Sequence, residues 1–499
     1  MTSHPMAPVD AAWFHMDGPV NPAVIVNIAL TRQPLDFEKV KAVYTQRLAQ
    51  FGRFRQRVVE RGFPLASPHW EEMPDFEIGQ QMHHVALPAP GGKAALAALV
   101  SELASTPLDR ARPLWDVHVV DGVDGGAALI TRMHHCIADG TGSLAIARVL
   151  YDSTPDVKPG RRLASKKNET APGLIEQVFA PAFSAVATSV GDLRALAAAA
   201  LDAARHPQQV IEKAALVLAG AGTLAADLLK TPDPPSPLKG EFGLGKRVAW
   251  SAPVALDDVR AIGAPMGAKI NDVLVAGMTG ALRAYLKRRG SDVDQMTVRA
   301  MVPVDLRPPE RAGELGNEFG LVILDLAIRR RDPLARLRQT KANMDELKRS
   351  PEAVAILALL NLFGRGPKVV GDVAVQLFGS KASLVMTNVA GPKDTLYLAG
   401  VPLDRLMFWV PHPGRELGMG ISILSYKGAA TLAVIADARL VPDPETITER
   451  FNREFAALLA AVRRREKKLL AARAEPRMRA ADQDRPAKAR KRAAQAAKR

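Results

Sequence analysis

HHCIADG, the segment from His134 to Gly140, is the most informative part of this 499-residue chain. The chain contains only 10 histidines, yet two are adjacent here and are followed by an Asp-Gly pair. Imidazole has an unperturbed pKa near neutrality, which suits a general base that abstracts a proton. The step Asp139-Gly140 predicts a sharp turn that holds the imidazole in place.

The surrounding residues predict a hairpin that leads into a helix. Residues 114–120 and 127–133 are typical of two strands, and the Asp- and Gly-rich residues 121–126 predict the turn between them. Apolar residues at helical spacing after residue 140 predict a helix. We therefore expect the histidines where a strand ends and a loop begins, a common place for catalytic groups.

A second pair, His83-His84, provides an internal comparison. No Asp-Gly step follows it; the next residues, Val85-Ala-Leu-Pro, predict an ordinary strand that runs into a turn. A histidine pair alone is more often structural than catalytic, so we expect His83 and His84 to have no part in catalysis.

HHCIADG resembles the HHxxxDG motif of the CoA-dependent acyltransferase superfamily, which includes chloramphenicol acetyltransferase, the plant acyltransferases and the condensation domains of peptide synthetases. Other segments, in family order, are similar to bacterial wax ester synthase/diacylglycerol acyltransferases. These segments are MAPVDAAWFHMDGP (6–19), PLDRARPLWDVHVVDG (107–122), GAKINDVLVAGMTGALRAYL (267–286), MVPVDLR (301–307), LGNEFG (315–320), TNVAGP (387–392), ISILSYKG and VPDP. The chain departs from its relatives at Lys239, where Asn is usual, and at Lys269, where Thr is common.

The resemblance implies an α/β fold of two similar mixed lobes, like chloramphenicol acetyltransferase, with the active site in a tunnel between them. We expect an N-terminal lobe over residues 1–155 and a C-terminal lobe over 246–462. A helical crossover over 156–245 joins them, and residues 463–499 form a basic, disordered tail. A hairpin around Lys427-Gly428 and a final helix from Asp443-Pro444 are predicted from local patterns.

The family's chemistry implies a role for each motif residue. His135 is the expected general base, and Asn271 the expected donor to the oxyanion of the tetrahedral intermediate. The alternative for Asn271 is the N-cap of a helix that starts at Asp272. The remaining motif residues are expected to be structural, with Asp139 pairing with an arginine to brace the loop instead of orienting the histidine. These structural residues are His134, Asp139, Gly140, Asp272 and Arg307.

Several further residues have competing interpretations. A thiolate at Cys136 would be nucleophilic, but a small buried residue that fills the loop is the simpler interpretation. Pro113, Leu114 and Trp115 are expected to pack under the acyl channel, or only to begin a core strand. The segment 388–392 predicts a turn between the lobes, and the apolar run 353–363 predicts a buried helix or a lipid entrance.

Composition limits the class of protein. We expect no signal peptide, because the first residues have no basic start followed by an apolar run. The longest charge-free stretches (178–191 and 214–226) are shorter than the ~18 residues of a membrane span. One cysteine permits no intramolecular disulfide, no Cys/His spacing indicates a metal site, and no phosphate-binding Gly-rich loop is present. We therefore expect a cytoplasmic protein that uses acyl-CoA as substrate and needs no cofactor.

The charge is concentrated at the C-terminal end. Residues 463–499 carry 15 Lys/Arg and 4 Asp/Glu, and so account for +11 of the net charge of +15. Such a segment can bind an anionic membrane or lipid inclusion peripherally, or only keep the protein in solution. Nucleic acid is a weaker candidate partner, because no aromatic residues lie among the basic ones.

The resemblance implies an O-acyltransferase that transfers a long-chain acyl group from acyl-CoA to a lipid hydroxyl. Diacylglycerol, giving triacylglycerol, is the expected acceptor, and a long-chain alcohol, giving a wax ester, is the alternative. A third possibility is an inactive relative that binds lipid surfaces. The motifs carry the shared chemistry and do not report the width of the tunnel.

Overall fold

The computed structural model describes residues 3–48, 51–60, 67–156, 231–307, 315–348, 379–412, 414 and 416–468. Most of the expected crossover, the apolar run 353–363 and the tail beyond residue 468 lie outside the described residues. No helix within the described ranges is both long and apolar enough to cross a membrane.

The first half of the chain forms a mixed α/β lobe. Its elements are β1 (Ser3–Pro5), α1 (Pro8–Met16), β2 (Val24–Thr31), α2 (Phe37–Leu48), β3 (Gln56–Val59), β4 (His69–Glu72), β5 (Met82–Ala86), α3 (Lys93–Ser105), β6 (Trp115–Val123), β7 (Gly126–His134) and α4 (Gly140–Leu150). The hairpin β6–β7 and the helix α4 confirm the local prediction around the histidine motif. The turn is tighter than expected: only Asp124 and Gly125 form it, both with positive φ, as a two-residue hairpin loop requires.

The second half forms another α/β lobe. Its elements are β8 (Lys246–Trp250), β9 (Val254–Ala255), α5 (Leu256–Gly263), α6 (Ile270–Arg288), β10 (Arg299–Asp305), β11 (Phe319–Asp325), α7 (Pro333–Leu347), β12 (Leu384–Ala390), β13 (Tyr397–Leu398), β14 (Val401–Trp409), β15 (Met419–Tyr426), β16 (Ala429–Asp437) and α8 (444–468). The predicted hairpin around Lys427-Gly428 is confirmed as β15–β16. The final helix is confirmed as α8, whose apolar stripe from Ile447 to Val462 is buried. The helix continues through residue 468, so the expectation that the disordered tail begins at residue 463 is wrong.

Each lobe is built on one large sheet. The six-stranded sheet has the order β13-β14-β2-β7-β6-β5, and the second sheet has the order β11-β10-β12-β15-β16-β8, with β9 beside β16. A third, small sheet joins β1, β4 and β3. The described residues therefore confirm the expected two-lobed α/β class.

The lobes exchange structure in a way that the sequence analysis did not anticipate. β13 and β14 lie within the range 246–462, yet β14 pairs with β2 of the first sheet, Trp409 opposite Val26. In return, helix α3 contributes two serine hydroxyls that accept hydrogen bonds from the amides of Lys246 (2.7 Å) and Val248 (3.0 Å) on edge strand β8. The lobes are thus joined by shared backbone hydrogen bonding as well as by apolar contact.

Candidate active site

The histidine pair lies where β7 ends. The amide of His134 donates to Leu114 O (2.9 Å) and that of His135 to Ala23 O (2.8 Å), so both neighbouring strands hold the backbone. Asp139 then caps helix α4 by accepting from the amide of Gly142 (2.8 Å).

Gly140 does not form the sharp turn that the sequence predicted. It is not among the glycines with positive φ, and a Cβ at this position would meet no atom within 4 Å. The prediction that Gly140 is needed for a sharp turn is therefore wrong. The chain passes from the loop into helix α4 at its N-cap, Asp139, and an N-cap does not require glycine at the next position.

The His135 ring is held by residues distant in sequence. It is 7% exposed and stacks on Trp13 of α1, with ring centroids 3.8 Å apart and planes at 12°. Its Nδ1 lies 2.9 Å from Asn317 Oδ1. The side-chain nitrogen of Asn317, Nδ2, in turn donates to His135 O and to Asp10 Oδ1, both at 2.8 Å.

This network determines the tautomer of His135. Because the Asn317 nitrogen donates to two oxygen acceptors, its Oδ1 must accept from His135, so the ring proton resides on Nδ1. The other ring atom, Nε2, then carries a lone pair and can accept a proton. The sequence contains Asn317, Trp13 and Asp10 in motif segments, but nothing in it indicated that Asn317 and Trp13 contact the His135 ring or that Asp10 binds Asn317.

Burial controls the charge of these groups. Desolvation lowers the pKa of His135 from 6.5 to about 4, against the opposing effect of the Asp139 charge, so the imidazole is neutral near pH 7. Burial raises the pKa of Asp10 to about 6, although its hydrogen bond from Asn317 lowers it. A neutral ring with a free Nε2 is the form that a general base requires.

Asp139 and Arg307 form a buried ion pair. Arg307 Nη2 lies 2.8 Å from Asp139 Oδ2 and donates also to Gly316 O (3.0 Å), and both side chains are almost fully buried. Asp139 accepts a further hydrogen bond from the amide of Glu318. The pairing implied by the resemblance is therefore present, and the acceptor for His135 Nδ1 is Asn317, not Asp139.

Backbone contacts continue this junction between the lobes. Ala138 and Gly316 form an isolated parallel bridge, in which the amide of Gly316 donates to Ile137 O (3.1 Å). The amide of Asn317 donates to Asp10 Oδ1 (3.0 Å). Residues 316–318 are thus hydrogen-bonded to residues 135–139, the motif loop, and this places Asn317 beside His135.

His134 and Cys136 are enclosed by the loop. His134 is 1% exposed, and its Nδ1 accepts from the Cys136 amide (3.1 Å). Its Nε2 lies 3.7 Å from Asp17 Oδ1. Burial alone would raise the pKa of Asp17, but His134, together with hydrogen bonds from the Ala23 amide and Arg110, lowers it to about 2. Burial raises the pKa of the Cys136 thiol well above its usual value, which disfavours a nucleophilic thiolate.

The segment that contains Asn271 and Asp272 begins helix α6. Lys269 is the N-cap, and Asp272 Oδ2 accepts from its amide (2.7 Å) in a capping box. The alternative prediction that Asn271 is the N-cap is therefore wrong, because the helix begins earlier. Asn271 Oδ1 accepts from Asn388 Nδ2 (3.0 Å), so the Asn271 amide nitrogen is directed elsewhere. Asn388 lies in strand β12, not in the turn predicted from its sequence.

The Pro-Leu-Trp segment supports the wall of a small cavity in the first lobe. Trp115 lines this cavity and donates from Nε1 to Phe54 O (3.0 Å). Leu114 belongs to the apolar core, and Pro113 O accepts from buried Gln81 (2.8 Å). The other residues that line the cavity are Asn27, Tyr44, Leu48, Phe54, Thr131, Met133, Ser143, Ile146 and Leu150.

Family comparison matches most of the chain. Residues 6–274 match the wax ester synthase/diacylglycerol acyltransferase catalytic domain, and residues 315–459 match the C-terminal domain of the same family. The chain is 29% identical over 437 residues to a probable diacylglycerol O-acyltransferase from Mycobacterium tuberculosis (strain ATCC 25618 / H37Rv), covering 86% of this chain and 90% of that one. A second such protein from the same strain is 28% identical over 478 residues, covering 92% and 99%.

Solved structures share the fold. The wax ester synthase/diacylglycerol acyltransferase from Marinobacter aquaeolei VT8 has a TM-score of 0.65 at 20% identity, covering 92% of this chain and 99% of that chain. The starter condensation domain of rhizomide synthetase has a TM-score of 0.55 at 16% identity, covering 92% and 94%.

Fold and family together define a two-lobed acyltransferase with an HHxxxDG motif. The chain belongs to the wax ester synthase/diacylglycerol acyltransferase family, as the resemblance implied.

The ion pair between the lobes can be tested by removing its cation. Arg307→Met leaves the Asp139 carboxylate buried without its partner, and we expect the free energy of unfolding to fall by about 3–5 kcal/mol. Urea denaturation measures this loss. Asp305→Asn is the matched control, because its carboxylate lies 4.0 Å from Arg307 and is 31% exposed; it should cost less than about 1 kcal/mol. Equal stability of Arg307→Met and the unaltered protein would contradict the bracing role.

Proposed function

We propose that this protein transfers a long-chain acyl group from acyl-CoA to the free hydroxyl of diacylglycerol, with His135 as the general base. The observation that carries this proposal is the hydrogen bond between His135 Nδ1 and Asn317 Oδ1, which leaves Nε2 unprotonated. The names of the two mycobacterial relatives support diacylglycerol as the acceptor. The rhizomide synthetase domain was solved with C8-CoA, which supports an acyl-CoA donor in this fold.

The reaction then proceeds without a covalent enzyme intermediate. His135 Nε2 takes the proton from the acceptor hydroxyl while the hydroxyl oxygen attacks the thioester carbonyl carbon. The tetrahedral intermediate collapses as the carbon–sulfur bond breaks. The imidazolium returns the same proton to the leaving sulfur, which yields the ester and free CoA. Cys136, a buried thiol, takes no part.

We propose that the Asn271 side chain donates the hydrogen bond that stabilises the oxyanion of the tetrahedral intermediate. Its oxygen is already engaged by Asn388, so its amide nitrogen is the group able to donate. A preorganised donor of this kind contributes about 10²–10³ in kcat. Asn388 then acts as a positioning residue, because it orients the Asn271 amide without touching the substrate.

The cavity lined by Trp115 is our candidate for the inner end of the acyl tunnel. It lies between β2, β6 and β7 on one side and α2 and α4 on the other, and Met133 and Ser143 bring its wall to both ends of the motif loop. Its lining is mainly apolar, which suits a hydrocarbon chain. A long-chain alcohol remains the alternative acceptor, since the Marinobacter protein carries the wax ester synthase name as well.

One assay tests the function and distinguishes the acceptors. Purified protein is incubated with palmitoyl-CoA and either dioleoylglycerol or hexadecanol, and CoA release is measured together with the lipid product. We expect triacylglycerol as the main product, with loss of turnover in His135→Ala and a fall in kcat of about 10²-fold or more in Asn271→Ala. A wax ester as the main product would favour the alternative. CoA release no faster than that of His135→Ala with either acceptor would refute the enzyme assignment.

The role of Asn317 is tested by the pH dependence of the reaction. With the pKa of His135 lowered to about 4, kcat/KM should stay constant from neutral pH down to about pH 5 and fall only near pH 4. Asn317→Asp places a carboxylate at Nδ1, which stabilises the imidazolium and should move this acid limb to higher pH. Asn317→Ala should lower kcat by about 10²-fold with little change in KM.

A purely structural role for Asn317 predicts a different result. Its variants would then lower stability without moving the acid limb. An acid limb near pH 6.5 in the unaltered protein would contradict the neutral, buried base.

We also propose that the basic residues 463–499 hold the protein at an anionic lipid surface. Each basic residue near such a surface contributes about 1 kcal/mol of attraction. Deleting residues 470–499 removes 10 Lys/Arg and 3 Asp/Glu, and should reduce sedimentation with phosphatidylglycerol-containing vesicles while CoA release with dioleoylglycerol dispersed in detergent persists. Vesicles of phosphatidylcholine alone are the control. Unchanged binding to the anionic vesicles would remove this role from the tail.

A further inference from the structure

A cluster of three metal-ligating side chains lies at the edge of the first sheet, outside the acyl-transfer site. Strands β5 and β6 are parallel, and His83 on β5 lies opposite His118 on β6. Asp116 precedes His118 by two residues and therefore points to the same face of the sheet. The three residues are 33 or more positions apart between strands, which explains why sequence spacing predicts no metal site.

The geometry of the cluster suits a single ion. One ligand atom from each of His83, Asp116 and His118 can be chosen so that all three lie within 4.8 Å of one another. The two imidazole rings stack with centroids 4.6 Å apart and planes at 25°. His118 Nε2 lies 3.3 Å from Asp116 Oδ1. Zn²⁺ holds its N and O ligands at about 2.0–2.2 Å, which places neighbouring donors about 3.5 Å apart. Rotation of the exposed His83 ring out of the stack would bring its nitrogen to the same ion as the other two donors.

His118 gives an independent indication of a ligand. The residue is 9% exposed, and its buried Nε2 lies 3.3 Å from Asp116 Oδ1 without forming a well-directed hydrogen bond. A buried polar atom that is poorly satisfied is costly, so a further ligand at this nitrogen would be favourable. His83 is exposed, so the cluster opens to solvent on one side and an ion can enter.

The Asp116 carboxylate is held in place by an ion pair with Arg132. Arg132 donates from Nε to Asp116 Oδ1 (2.8 Å) and from Nη2 to Oδ2. The Arg132 Nη1 group donates in turn to Leu103 O and Thr106 O at the end of helix α3. Ligating carboxylates commonly accept hydrogen bonds of this kind, which hold them in one orientation.

The charge around the cluster sets the expected affinity. Arg132 and Arg112 carry positive charge close enough to act on His83, and this charge opposes the binding of a divalent ion. We therefore expect moderate affinity. Two imidazole nitrogens with one carboxylate oxygen favour Zn²⁺, Co²⁺, Ni²⁺ or Cu²⁺ over Mg²⁺ or Ca²⁺.

We propose that His83, Asp116 and His118 bind one divalent transition-metal ion, with solvent completing its coordination. The ion joins edge strand β5 to β6, next to the carbonyl groups at the end of α3. It takes no part in acyl transfer, because His135 is held by Trp13 and Asn317 elsewhere in the lobe.

The test uses the full-length protein without a polyhistidine tag, after treatment with a chelator and dialysis. Titration with Zn²⁺ in a calorimeter should give one site with a micromolar Kd, and Zn²⁺ should raise the melting temperature. Bound Co²⁺ should produce the visible absorption bands that are typical of four- or five-coordinate cobalt. His83→Ala and His118→Ala should each weaken Zn²⁺ binding about tenfold or more, while their circular dichroism reports that they fold.

His84→Ala is the matched control. His84 is the next residue on β5, and its Nε2 pairs with Asp121 Oδ2 at 2.8 Å without a second histidine. This variant should bind Zn²⁺ like the unaltered protein. No stoichiometric Zn²⁺ binding, or unchanged binding in both His83→Ala and His118→Ala, would overturn the proposal. A loss in His84→Ala equal to that in His83→Ala would also overturn it, because binding would then be nonspecific.

Discussion

The buried ion pair between Asp139 and Arg307 is the interaction on which the site depends. An isolated charge in this environment would be strongly unfavourable, so each partner requires the other and the surrounding hydrogen bonds. Asp139 also caps helix α4 and accepts from the Glu318 amide, and Arg307 also donates to Gly316 O. One pair therefore joins the loop after β7 to the segment before β11, and brings the two halves of the chain together.

The arrangement around His135 follows from that junction. Once the segment 315–318 lies along the motif loop, the Asn317 amide reaches the histidine ring on one side and Asp10 on the other. Trp13 stacks on one face of the ring. Burial keeps the imidazole neutral, and the side-chain oxygen of Asn317 holds the ring proton of His135 on Nδ1. The orienting group is thus a neutral amide, where hydrolases with a catalytic triad use a carboxylate.

The two lobes share more than the site. Strand β14 of the second half completes the first sheet, and two serines of α3 cap the edge of the second sheet. Carbonyl groups at the end of helix α3 also accept hydrogen bonds from Arg132, which pairs with Asp116 in the cluster proposed to bind a metal ion. A motion of one lobe relative to the other would break main-chain hydrogen bonds, so the site between them is held by the backbone as well as by side chains.

The sequence by itself determined the local elements, the family and the motif histidine. Alternation and Asp-Gly or Lys-Gly steps predict both hairpins, and an apolar stripe predicts α8, because these signals involve neighbouring residues. Tertiary structure alone decided that Asn317 orients His135, that Asn388 orients Asn271, and that His83 meets His118. Each of these pairs is separated by at least 35 residues and joined only by strand pairing or by contact between lobes. Local physical chemistry cannot report such contacts, because the chain path that creates them is set by packing of the whole.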